Sequence, residues 1–294
     1  MIYFTLPNFY TSNQLNKIIY NYSKDINNQH KFVVPVKFIG EKGNYPFCYH
    51  SGGLNHNSSP LARWQDFHTM CNSDSWIGMR LDCSSIFLND DDFNDSLLNT
   101  ILEVHETGST YIELSNLKLM EYIEQKYPNY MFILSANADL LNKHTPEVIN
   151  TMIESEKFHL ISLPKCYNDN MEFLKAINHR NKLELTVNSL CHCDLEQCNK
   201  CIVKENETQY YYSGQSIISA CPERYMYNAA KNTLISLNDI KQKYLPLGIT
   251  HYALAEYPNT KQDMFHFIFF FADYFIKPEF REEVLFILLK EAGL

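Results

Sequence analysis

The sequence is short of cationic side chains. Lys and Arg number 25 against 34 Asp and Glu, a formal net charge of −9 over 294 residues, with a pI near 5.6. That balance excludes a generally basic nucleic-acid-binding protein, although it leaves room for a local basic groove. A secretory opening is also missing, because "MIYFTLPNFY" has no basic segment ahead of a long apolar run. The most apolar stretch, "MFHFIFFFADYFI" (264–276), is thirteen residues long and contains His266 and Asp273. A membrane span needs roughly 20 apolar residues, so this stretch is expected to be a buried helix and no membrane partner is expected. These absences predict a cytoplasmic protein whose thiols stay reduced. Nine cysteines, an odd number, also argue against a full disulfide framework.

Several catalytic fingerprints are absent. There is no GxGxxG after the first apolar run and no Walker sequence, so the common nucleotide-binding signatures do not apply. There is no GxSxG, no HExxH and no cysteine in a recognisable triad context, so no motif supports peptide hydrolysis.

What is present is a rhythm of short β-type runs and helical patterns, with 45% apolar residues to build a core. Strands are predicted at Ile2–Leu6, Phe32–Phe38, Trp76–Asp82, Tyr111–Leu114, Met131–Ser135, His159–Leu163, Leu183–Val187 and His251–Ala255. Helices are predicted at 94–108, 116–128 and 145–157, the last opening on Thr145 as cap and Pro146 at its first position. Eight strands with helices between them predict an α/β fold, a single-domain (β/α)8 TIM-type barrel over residues 1–294 with long rim loops. A doubly wound open sheet is the alternative. Two connections exceed plain turns: Ile39–Cys71, and a cysteine-bearing insertion over 188–250 after the seventh strand. Both follow strands, which in a barrel puts them on the rim where active sites form.

The insertion carries "CHCDLEQCNKC" (191–201), four cysteines in eleven positions, and Cys221 in "SACPERY". Several soft thiolates drawn into one loop are donors for iron or zinc. Cys193-x4-Cys198-x2-Cys201 matches the local spacing of plant-type ferredoxins, while Cys198-x2-Cys201 suits a zinc knuckle equally well, with His192 as a further nitrogen donor. Iron–sulfur and zinc therefore both stand. Cys48, Cys71, Cys83 and Cys166 are scattered and read as small apolar fillers.

"KLELTVNSLCHC", the short cysteine loop and "ACP" together resemble the collagenase-like peptidase family (peptidase U thirty-two). The resemblance extends through "YIELSNLKLMEYIEQKYPNYMFILSANADL", "FHLISLPKCYND", "LGITHYALAEYPN" and "DYFIKPEFREEV", over roughly residues 76–290. Its most specific element is Val187–Asn188–x2–Cys191. Family members are barrel proteins, and the better understood ones carry a 4Fe–4S cluster on four cysteines. They take part in oxygen-independent hydroxylation of RNA bases or of the ubiquinone ring, and some work as pairs. The resemblance thus implies a cluster-dependent oxidoreductase or hydroxylase with a paired homologous subunit. It makes Cys191 the first ligand, Cys198 or a near neighbour the second and Cys221 the last. Cys201 is the choice for the remaining ligand, because Cys191 and Cys193 are hard to seat side by side on one cubane. The ferredoxin spacing favours Cys193. The chain departs from the family where the last strand ends in "ALAEYPN", without the expected Lys and Arg. A non-catalytic accessory subunit holding structural zinc is the second reading, and peptidase activity the third.

In a barrel, polar residues at strand ends line one cavity. Arg80 and Asp82, Glu113 and Asn116, Ser135, Asn137 and Asp139, Lys165, Asn188 and Glu256 occupy such positions. Glu113 or Glu256 is a candidate proton acceptor, and Lys165 or Arg80 a candidate anchor for an anionic group. Each has a plain salt-bridge or rim hydrogen-bond role as its alternative, and Arg80 with Asp82 shares one strand face. The loop "YHSGGLNHNSSPLARW", with His50, His56, Arg63 and Trp64, reads as a lid or a bland surface loop. Tyr210, Tyr211 and Tyr212 read as a stacking platform or as core.

Overall fold

The computed structural model describes residues 1–6, 13–44, 80–83, 111–136, 145–188, 235–254 and 261–294, with Phe93, Asn99, Leu102, Glu103 and Glu106 between them. Eight strands run β1 Ile2–Leu6, β2 Val36–Asn44, β3 Arg80–Cys83, β4 Tyr111–Leu114, β5 Met131–Leu134, β6 Phe158–Ser162, β7 Leu183–Thr186 and β8 His251–Ala253. Each pairs in parallel with the next, and β8 returns to pair with β1. The result is a curled α/β sheet compatible with a TIM-like fold. The longer described helices are α1 Asn13–Lys24, α2 Leu117–Lys126, α3 Pro146–Glu154, α4 Met171–Ala176, α5 Lys261–Phe275 and α6 Arg281–Ala292.

Strand alternation sorts the side chains into two shells. Phe4, Leu6, Ile112, Leu114, Phe132, Leu134, Leu183, Leu185, Tyr252 and Leu254 belong to the apolar core beneath the helices. The alternate positions fall on the inner side of the ring. An aromatic part of the outer shell lies where α5 meets β1 and β2. There the Phe4 ring lies 4.8 Å from Phe275 and 5.5 Å from Tyr252, and Phe38 lies 5.8 Å from Phe271. Phenols buried in this shell find carbonyl acceptors: Tyr252 donates to Ile249 and Tyr244 to Asn168, each at 2.9 Å. Tyr274 likewise donates to the Ile235 carbonyl.

Caps fix the helix starts. The Asn116 side chain accepts from the amides of Lys118 and Leu119, and Thr145 accepts from Val148 with Pro146 in the first turn. The 116–128 and 145–157 predictions are thus met, less a residue or more at each end. Most strand ends also agree within a residue or two; the first part of the expected third strand, 76–79, lies outside the described residues, and the second strand differs. The second strand was expected at Phe32–Phe38 and lies at Val36–Asn44. Pro35 has no amide to donate to a ladder, so pairing begins after it. Asp25 caps a tight turn over Ile26–Lys31, and Phe32 makes an antiparallel bridge to Ile276 instead. The strand then runs into "GEKGN", residues expected in the long loop. The 264–276 helix is a one-faced surface helix: Phe267, Ile268, Phe271 and Phe275 are buried, but Phe265 and Phe269 are exposed. Among the described residues no helix is long and apolar enough to cross a membrane.

Candidate functional site: a polar barrel interior

The inner side of such a ring is usually packed with branched aliphatics. Here it is polar. Apart from Ser23 and Asn168, every buried polar residue among those described (Thr5, Glu113, Ser115, Ser135, Ser162, Glu184) is on or directly after a strand, at an inner position. Glu184, only 2% exposed, is the best defined of them. Thr5 Oγ1 donates to its Oε1 at 2.9 Å and Ser162 Oγ to its Oε2 at 2.6 Å. A carboxylate removed from water costs several kcal/mol, and charge-assisted hydroxyl bonds of about 1.5–3 kcal/mol each offset part of that cost.

The ladder explains how Thr5 reaches two strands across. Glu184 is level with His251, and His251 with Tyr3. Thr5 lies two residues further along β1, the stagger that puts alternate strands of a tilted barrel in one layer. Between them β8 presents only the methyl of Ala253. Below this layer the Tyr3 ring stacks on His251 at 4.8 Å, and Tyr111 meets His159 at 4.9 Å. Burial holds the His251 imidazole below its ordinary 6.5, against the opposing pull of Glu184.

The sequence candidates fall unevenly on this site. Glu113 sits on β4, buried, level with Asp82 and Ile133. Arg80 opens β3, level with Tyr111, and Lys165 begins a tight turn after Leu163 and Pro164 have left β6. Asn116 is a helix cap, which accounts for that residue without chemistry. Glu256, Asn137, Asp139, the 50–64 loop, Tyr210 to Tyr212 and the cysteines Cys191, Cys193, Cys198, Cys201 and Cys221 lie outside the described residues, as do Cys48 and Cys71. Of the cysteines read as fillers, Cys166 is half-buried and reduced, against the core. Glu184 was missed. Its signal was legible in "KLELTVN", where one acid stands between Leu183 and Leu185 in a strand otherwise shaped for burial.

The base of the cysteine-bearing segment is described. The Val187 amide donates to Ala253 and its carbonyl accepts from Ile235, both at 2.9 Å, while Asn168 Nδ2 holds the Thr186 carbonyl at 2.6 Å. The chain thus leaves the end of β7 and returns beside it. No family model and no curated protein matches this chain. A solved U32 peptidase structure is similar to it at 10% identity and a TM-score of 0.45, over 86% of this chain and 92% of that one.

Proposed function

We propose that the chain is a single-domain (β/α)8 barrel enzyme in which the segment after β7 holds a 4Fe–4S cluster on Cys191, Cys198, Cys201 and Cys221, with Cys193 as substitute ligand. Its reaction is an oxygen-independent redox modification, hydroxylation or a close relative, of an RNA base or a small aromatic, quinone-like compound. A paired homologous subunit is the partner this reading takes. The observation that carries it is the Val187–Ile235 hydrogen bond, which anchors both ends of the cysteine-bearing segment at the rim end of β7. Cys191 is three residues past Asn188, so chain reach keeps it within about 11 Å of that end. The donor set also fits, since iron–sulfur centres are held by cysteine thiolates, the same soft donors that structural zinc takes.

When bound, the cluster supplies electron transfer. This chain's own residues do the rest. Glu113 and Glu184 offer acceptors from the inner wall, and Glu256, two residues past Leu254, offers another from the end of β8. Lys165 and Arg80 orient an anionic group on the substrate. Hydroxyls at Ser115, Ser135 and Ser162 complete a wall that binds by hydrogen bonds rather than by apolar contact. Metal analysis after oxygen-free purification tests the reading. About four irons with matching sulfide per chain, and absorbance near roughly 400 nm, support it. A colourless protein with one zinc supports an accessory subunit with a structural site instead.

A further inference from the structure

At the rim end of the β6–β7 seam the ladder runs out of backbone. The Leu163 amide donates to the Glu184 carbonyl at 3.0 Å. The next β7 carbonyl on that side is Thr186, whose partner in a continuing ladder would be the amide of residue 165. Instead Pro164 and the tight turn Lys165–Tyr167, closed by the Tyr167 amide on the Pro164 carbonyl, carry the chain off the sheet. The Asn168 side chain takes the rung, its Nδ2 donating to the Thr186 carbonyl at 2.6 Å.

That bond settles which way round the amide lies. A carbonyl can only receive a proton, so the nitrogen belongs on Thr186 and the other terminal atom is the oxygen. Asn168 is only 2% exposed, and its Oδ1 is fully buried with no hydrogen-bond donor among the described residues. The Tyr244 hydroxyl does not supply one, because it donates to the Asn168 main-chain carbonyl at 2.9 Å. A buried acceptor of this kind is too costly to leave unmade, so a donor from outside the described side chains is required.

The setting narrows what that donor is. The Thr186 and Asn168 carbonyls adjoin the same side-chain amide, and each oxygen has two lone pairs, so either can take a second donor. A group with one proton for Oδ1 and one for a carbonyl, small enough for a closed seam, answers all of this. We propose that an ordered water molecule is built into the β6–β7 seam on Asn168 Oδ1. Water and side chain together replace the rung lost after Pro164 and hold the end of β7. The inference rests on the fold alone and stands whether or not the chain binds iron.

A crystal structure of the full chain tests it. One water is expected within about 2.5–3.0 Å of Asn168 Oδ1, with a second contact to the Thr186 or Asn168 carbonyl. A protein donor on Oδ1, or no density within that range, overturns the proposal. In solution, rotating-frame NOE spectra should show cross-peaks from water to the Asn168 Hβ protons. They should persist in Tyr244→Phe, which removes relay through the neighbouring hydroxyl, and their loss there overturns the proposal as well.

Discussion

Glu184 shows how one side chain can hold several strands. Its two oxygens are claimed by hydroxyls from β1 and β6 while its backbone belongs to β7. Glu184→Ala should therefore cost about 3–5 kcal/mol in urea unfolding, and Glu184→Gln less, because the amide oxygen still accepts. A loss below about 1 kcal/mol for Glu184→Ala would mean the hydroxyls find equivalent partners. Gly248 is a second position where one residue fixes local geometry. Its φ of +89° closes the turn that feeds β8, and an added Cβ there would meet no neighbour. Gly248→Ala is thus expected to cost about 1 kcal/mol through backbone strain alone, read as a lower melting temperature with an unchanged circular dichroism spectrum.

At the scale of elements, α5 packs an aromatic face against the outer shell. Phe271 is fully buried and meets Phe32, Phe38 and Phe275 within 6.3 Å. Phe271→Ala should cost about 3–5 kcal/mol in urea unfolding, while Phe269→Ala on the exposed side should cost less than about 1 kcal/mol. Similar losses at both positions would contradict the one-faced helix. The elements that were legible in the sequence were those with local signals. Thr145-Pro146 announces a helix start by its own chemistry, and "YIEL" between polar flanks reads as a strand without help from the rest of the chain. The failures came from distant partners. Phe32 looks like a strand residue and is extended, but its bridge is to Ile276, some 240 positions away. Phe265 and Phe269 look like core, and only the path of α5 over the barrel decides that they face outward.

For the whole molecule, the closed strand order and the polar interior set what the chain can do. The alternation of strand and helix predicted a curled parallel sheet, but not what would line it. Glu113 stands near a strand end, where function in a barrel is expected, whereas Glu184 lies one strand position deeper and carries no such signal. The base of the cysteine-bearing segment now ties that lining to the rim, since its two ends meet at Val187 above Glu184 and Thr186. The central claim is that thiolates from this segment share one iron centre. Iron content of oxygen-free preparations of Cys191→Ala and Cys166→Ala, measured beside the wild type, tests it most directly. The account predicts that Cys191→Ala loses its iron and colour while Cys166→Ala keeps both. Full iron in Cys191→Ala, or none in the wild type, would contradict it.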